Sequence, residues 1–204
     1  MTRIKICGLS RPEDITYVNE AKPDYIGFVF AKSRRQVDEE MARHLKALLN
    51  PKIEAVGVFV NEDINRIIRL CREKVIDIVQ LHGDEDENYI KELKSKISAP
   101  IMRAVRVKSA EDVKKASEIS CDYLLFDTYT EKEYGGSGIV FDWSMITDIN
   151  KPYFLAGGIN IDNVLSAIDK CNPYCIDVSS GVETEGLKDP FKINEIVTKI
   201  RSVR

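Results

Sequence analysis

Short apolar runs and longer stripes of apolar residues alternate along this chain. The runs fall at 3–8, 25–30, 55–60, 78–83, 101–107, 123–128, 153–158 and 175–181. Most are rich in Ile, Val, Phe and Tyr and close on a polar or glycine-containing turn, as expected of strands buried on both faces. The first, Arg3-Ile4-Lys5-Ile6-Cys7-Gly8, alternates charged and β-branched residues instead, which is the period-two strand signal.

Helical stripes fill the intervals. Pro12, Glu13 and Asp14 suit a first helical turn, where a missing N–H is harmless and negative charge meets the positive end of the dipole, and the helix runs to about Ala21. Asp38 caps a helix with Met41, Leu45, Leu48 and Leu49 on one face. Asn61 opens the next, which carries Ile64, Ile67, Ile68 and Cys71. Asp84 to Asp86 lead into a helix bearing Tyr89, Ile90, Leu93 and Ile97, which Pro100 terminates. Ser109 and Asp112 stand at capping-box spacing for a fifth. Asn160 begins a helix with Val164, Leu165 and Ile168, and Pro190 begins the last, with Ile193, Ile196, Val197 and Ile200. One connection, 129–139 with Gly135, Gly136 and Gly138, is long and polar, and loops of that length in small domains are usually functional.

A repeated strand, turn and helix requires a parallel sheet, because each crossover returns the chain to the same edge. Eight such units could form an open doubly wound sheet or a closed barrel. No G-x-G-x-x-G follows the first strand to favour the open form. No Pro/Gly/Ser-rich linker divides the chain. The expected fold is therefore a single-domain α/β protein, a (β/α)8 TIM barrel over 1–204, at the small end of the usual length.

Charge and cysteine usage narrow the function classes. A formal net charge of −3 and the lack of a basic block argue against nucleic acid as a partner. No apolar run approaches a membrane span, and the first strand leaves no room for a secretion signal, so the expectation is a cytoplasmic protein with no membrane partner. Five cysteines with no C-x-x-C pair read as reduced thiols. His44 and His82 are the only histidines and lie in unrelated segments, so no metal is expected. Packing on the barrel accounts for the helix-face apolar residues, and a monomer is expected over a homodimer.

In such a barrel, functional groups gather at the carboxyl ends of the strands. Those ends carry Cys7, His82, Asp127, Gly157-Gly158 and Ser179-Ser180-Gly181, with Arg34 and Arg35 just beyond the second strand. The glycine turns after strands 7 and 8 are suited to phosphate, since backbone without side chains can approach an anion closely. They point to a phosphorylated small molecule. An arbitrary cysteine is more often a core thiol, and that reading holds for Cys71, Cys121, Cys171 and Cys175. Cys7 alone ends a strand at the mouth. As a base it must be a thiolate, which is only about a few per cent of a free thiol near neutrality, and the positive charge of Lys5 would help. Asp127 is either a helix cap or turn residue or a general acid, because burying a carboxylate without purpose is costly. Arg34 and Arg35 are either a solvated pair or a clamp for a ligand carboxylate. His82 fits polar packing, a cap or a ligand contact.

Taken in order, Lys5-Ile6-Cys7-Gly8, Gly27-Phe28-Val29-Phe30, Ser33-Arg34-Arg35, Gly57-Val58-Phe59-Val60-Asn61, Val79-Gln80-Leu81-His82-Gly83, Asp127, Gly135-Gly136-Ser137-Gly138, Phe141-Asp142-Trp143, Ala156-Gly157-Gly158 and Asp177-Val178-Ser179-Ser180-Gly181-Val182-Glu183 resemble the phosphoribosylanthranilate isomerase family, ribulose-phosphate-binding barrels of tryptophan biosynthesis. One departure is 184–189, where the family often has a proline before the glycine. The resemblance implies an Amadori rearrangement with Cys7 as general base and Asp127 as general acid. It implies that the imine formed on ring opening is the electron sink, so that neither metal nor cofactor is needed. It also implies that Arg35 meets the anthranilate carboxylate, that Gly158 and Ser180 lie in the phosphate turns, and that the 129–139 loop is a lid. Fold and phosphate site alone would equally allow another phosphosugar isomerase or epimerase, or a non-catalytic phosphometabolite-binding barrel.

Overall fold

In the computed structural model of the chain, residues 1–128 and 141–203 are described. Eight parallel strands, β1 (Arg3–Cys7), β2 (Tyr25–Val29), β3 (Glu54–Phe59), β4 (Ile78–Leu81), β5 (Ile101–Val107), β6 (Tyr123–Thr128), β7 (Tyr153–Leu155) and β8 (Cys175–Val178), pair in chain order. β1 bonds to β8 as well as to β2, with Lys5 in register with Tyr25 on one side and Asp177 on the other. The sheet is a closed barrel, as the alternation of elements predicts.

Side chains on a strand alternate between faces, so closure divides every strand into an inner and an outer set. Tyr25, Val56, Ile78, Met102, Leu125, Phe154 and Cys175 pack together as one apolar cluster inside the barrel. The residues between them, including Ile6, Phe28, Val79, Phe126 and Ile176, join the larger core between strands and helices. This is why the strands read as continuous apolar runs. Two residues further along, the same inner face becomes polar: Gln80 follows Ile78, Asp127 follows Leu125 and Asp177 follows Cys175.

Among the described residues there are seven α-helices, not the eight that the repeat suggests. After β6 the described chain makes only a short 3-10 turn, Trp143–Met145. The connection expected over 129–139 lies outside the described residues. On α2 (Glu39–Leu48) the buried side chains are Ala42 and Leu45, with Leu49 buried just beyond it, whereas Met41 is 38% and Leu48 47% exposed. Both flanks of Leu45 fit a 3.6-residue period, and the helix rolls toward the side of the small Ala42, where it can approach the sheet closely.

Helix starts were also shifted by tertiary contacts. Asp63 caps α3 (Ile64–Arg72), accepting from the N–H groups of Asn65 and Arg66. Asn61 instead takes a left-handed conformation, φ 50°, and its side-chain oxygen accepts from Asp84 N at 2.8 Å. α6 (Val164–Cys171) starts after Asn163, whose Oδ1 accepts from Asn160 N at 2.9 Å. α4 (Glu87–Lys96) ends before Pro100. The expected capping box of Ser109 and Asp112 is present on α5 (Ala110–Ala116). α1 (Pro12–Ala21) and α7 (Pro190–Arg201) match their expected starts, and among the described residues no helix is long and apolar enough to cross a membrane.

After β8 a small hairpin, β9 (Glu183–Thr184) and β10 (Leu187–Lys188), turns through Glu185 and Gly186, both at positive φ, 51° and 80°. Such two-residue turns favour positive φ because it matches strand twist. The hairpin brings Glu183 and Lys188 side by side over the barrel mouth. Because the Asp63 cap satisfies two N–H groups at the start of α3, Asp63→Ala is expected to lower stability by about 1 kcal/mol, read as a lower urea midpoint with an unchanged slope.

Candidate active site

The polar layer at the carboxyl ends of the strands opens into a cavity of about 770 Å³. Cys7, Arg35, His82, Asp127, Gly157, Gly158, Ser179 and Ser180 all line it. Gly181 lies beside it instead: a Cβ there would collide with the carbonyl oxygen of Ile159, so this glycine permits packing between the β7 and β8 turns.

Cys7 is the last residue of β1 and faces inward. Its partner on β2 is Gly27, where a Cβ would stand 2.6 Å from the Cys7 sulfur; the glycine makes room for the thiol. Burial pushes the thiol pKa up, Lys5 pulls it down, Asp177 pushes it up and Lys188 pulls it down, with a net rise. Lys5 is wholly buried, and its ammonium donates to Asp177 Oδ2 at 2.8 Å. Burial opposes the charge on Lys5, but Asp177 and Cys7 outweigh it, so its pKa is raised.

Asp127 has one backbone hydrogen bond and one close side-chain neighbour. Its Oδ1 accepts from Thr128 N at 2.8 Å, and its Oδ2 lies 3.4 Å from His82 Nε2. Gln80 Nε2 stands 3.0 Å from His82 Nδ1, so the amide fixes the ring with its Nε2 edge toward Asp127. The β7 turn presses against this carboxylate. Gly157 adopts φ 84°, and a Cβ on it would lie 2.6 Å from Thr128 N and 2.9 Å from Asp127 Oδ1.

Arg35 crosses the turn at Gly8, where a Cβ would strike its side chain. Glu183 holds the guanidinium at two points, Nε to Oε1 at 2.7 Å and Nη2 to Oε2 at 3.0 Å. Arg34 reaches the same carboxylate at 2.6 Å but is 56% exposed, against 15% for Arg35. Lys188 completes the cluster, donating to Glu183 Oε1 at 2.7 Å and to the carbonyl of Ser179 at 2.9 Å. Burial pushes the Glu183 carboxyl up, yet Arg35 and Lys188 more than offset this and hold it below the usual range. Ser179 Oγ donates to the Cys7 carbonyl at 3.1 Å, tying the β8 turn to the end of β1.

The arrangement offers a thiol, a carboxylic acid, a fixed guanidinium and two glycine-containing turns around one cavity. The residue pattern did not single out Asp177, Gln80, Glu183 or Lys188. Asp177 and Gln80 interrupt apolar strands two positions from core residues, a usable signal. Glu183 and Lys188 carry no such signal, since the hairpin that aims them is a tertiary feature.

A family model described as N-(5'-phosphoribosyl)anthranilate (PRA) isomerase matches residues 4–199. The chain is 53% identical to an N-(5'-phosphoribosyl)anthranilate isomerase of Endomicrobium trichonymphae, with all of both chains covered. It is also similar to the crystal structure of phosphoribosyl anthranilate isomerase from Thermotoga maritima, with TM-score 0.90, 36% identity and 100% of both chains covered. A further similar structure, with TM-score 0.87, 35% identity and the same coverage, holds reduced 1-(o-carboxyphenylamino)-1-deoxyribulose 5-phosphate.

Substituting Gly157 by alanine forces a side chain into a positive-φ position against Thr128 and Asp127. Gly157→Ala should destabilise the fold by about 1–3 kcal/mol, measured as a shift in the urea unfolding midpoint.

Proposed function

The chain belongs to the N-(5'-phosphoribosyl)anthranilate isomerase family, and from that premise we propose that Cys7 and Asp127 are the base and the acid of its reaction. The enzyme converts N-(5'-phosphoribosyl)anthranilate to 1-(2-carboxyphenylamino)-1-deoxyribulose 5-phosphate, the Amadori rearrangement of tryptophan biosynthesis. The observation that carries the assignment is the convergence of Cys7, from β1, and Asp127, from β6, on the same cavity.

In this reading Asp127 protonates the ribose ring oxygen. The bond from that oxygen to C1 breaks, and the nitrogen lone pair forms a protonated imine. The Cys7 thiolate removes the proton on C2, and the electron pair of that C–H bond moves into the imine to give an enolamine. Tautomerisation adds a proton at C1 and removes the enol proton, giving the ketone and restoring both groups to their starting states. The imine is the electron sink, so side chains suffice for each proton transfer. Gly157 keeps the β7 backbone close to Asp127, and His82 sits where it can orient that carboxylate or contact the ligand.

Arg35 is assigned to the anthranilate carboxylate, with Glu183 fixing the plane of its guanidinium. A planar fork held in advance loses little freedom on meeting a second carboxylate. The phosphate is assigned to the backbone N–H groups of the Gly157-Gly158 and Ser179-Ser180-Gly181 turns, chiefly Gly158 and Ser180. One chain contains every assigned group, which supports a monomer acting on a phosphorylated small molecule, and we place it in the cytoplasm.

Cys7→Ala and Asp127→Asn are each expected to lower turnover by about 10²–10⁴-fold or more while leaving the melting temperature near that of the parent. Loss of phosphoribosylanthranilate fluorescence reads the rate, and near-parental turnover in either variant removes that residue from its role. Arg35→Ala should raise KM more than it lowers kcat; unchanged kinetics would exclude the carboxylate clamp.

A further inference from the structure

The cavity contains a buried ion pair that the reaction scheme does not use. Lys5 lies two residues before Cys7 on β1, so both side chains point into the barrel. Register places Lys5 opposite Asp177 on β8, and the ammonium donates to Asp177 Oδ2 at 2.8 Å. Asp177 Oδ1 is buried with no hydrogen-bond partner among the described residues. The carboxylate therefore holds Lys5 through one oxygen. A lysine ammonium has three donors, and the next inward-facing side chain along β1 is Cys7.

Several charged groups surround the Cys7 sulfur: Arg35 crosses the adjoining Gly8 turn, and His82 and Asp127 line the same cavity. β1 supplies Lys5, β8 supplies Asp177, and β10 supplies Lys188, whose ammonium is already tied to Glu183 and the Ser179 carbonyl. β2 presents the uncharged Gly27. Burial by itself suppresses a thiolate, and the cation nearest to hand is shared with a competing carboxylate.

Resting on the reading of Cys7 as the base, we infer that Lys5 is a positioning residue that sets how much of Cys7 is thiolate, with Asp177 as its counterweight. Lys5 stabilises the negative sulfur. Asp177 opposes it, both by holding the same ammonium and by placing a second negative charge beside it. Of the two influences on the thiol, that of Lys5 is the larger. The two side chains consequently act on Cys7 with opposite signs, which a merely structural pair would not do.

The test is the rate at which iodoacetamide alkylates Cys7 in the full chain across a range of pH, with peptide mass spectrometry separating it from Cys71, Cys121, Cys171 and Cys175. Lys5→Met should move the alkylation midpoint to higher pH and slow the reaction near neutrality by roughly tenfold or more, the effect of losing an opposite charge at close range. Asp177→Asn should move the midpoint to lower pH and speed it. Each single variant leaves a buried charge unpaired, so the neutral Lys5→Met/Asp177→Asn double variant is measured beside them. It should alkylate more slowly than the parent and faster than Lys5→Met. The acidic limb of the kcat/KM profile should move to higher pH in Lys5→Met, since turnover needs the deprotonated sulfur.

A parental alkylation profile in Lys5→Met, slower alkylation in Asp177→Asn, or a parental profile in the double variant overturns the inference. The base assignment fails separately. If Cys7→Ala turns over normally, Cys7 is not the base, while alkylation still reports the influence of Lys5. If Cys7→Ala is inactive and alkylation is unmoved by Lys5→Met, the base stands and the counterweight falls.

Discussion

Closure of β1 onto β8 is the constraint on which the rest of the molecule depends. A strand has a side-chain period of two, so slipping the seam by one residue would turn its entire inner set outward. With Lys5 against Asp177 and Ile6 against Val178, both Lys5 and Cys7 face the interior, and Ile4 and Ile6 face the helices. The seam is also where charge is buried. A buried ion pair adds little net stability, because desolvation consumes most of its attraction, yet removing one partner leaves an uncompensated charge costing about 3–5 kcal/mol. A chain that closed in another register would meet that penalty on both side chains.

Above the apolar cluster of Tyr25, Ile78, Leu125 and Phe154, each group with a chemical assignment is held by a side chain or backbone atom from its surroundings. Thr128 N and His82 border Asp127, Gln80 borders His82, Glu183 grips Arg35, and Lys5 precedes Cys7 by two residues on the inner face of β1. Hydrogen bonds and charges act more strongly in such low-dielectric surroundings than in water. The interior below gives these groups a rigid floor, while the glycines at 27 and 157 remove the side chains that would crowd Cys7 and Asp127. Glycine here opens space for particular atoms.

Strands and catalytic candidates were legible because both obey the period of two. An apolar run that ends in Cys7 or passes through Asp127 assigns those residues to the carboxyl mouth once the barrel is assumed. The flank of α2 that would be buried was not legible, since Met41 and Ala42 fit the same helical period. Asn61 and Asp63 are both good capping types, and only the contact of Asn61 with Asp84 decides between them. The hold of Glu183 on Arg35 joins residues 148 apart in sequence, beyond any local pattern. Lys5 could be read as help for Cys7, but Asp177 as the opposing charge required the register of the seam.

The substrate brings its own negative charge to the mouth, and a like charge disfavours a thiolate there. Its two anionic ends, however, have separate assigned partners: the backbone donors of the Gly158 and Ser180 turns, and the guanidinium of Arg35. A charge neutralised where it sits acts on Cys7 only as a more distant dipole. The interior pair sits on β1 and β8, one inward-facing position below Cys7. Two unit charges 4 Å apart interact by about 4 kcal/mol at an effective dielectric of about 20, and this energy falls with distance. Burial works hardest against the Cys7 thiolate, and against it Lys5 favours the negative sulfur more strongly than Asp177 opposes it, so the pair bears on the sulfur from within the barrel while the charges of the ligand are met by their own partners.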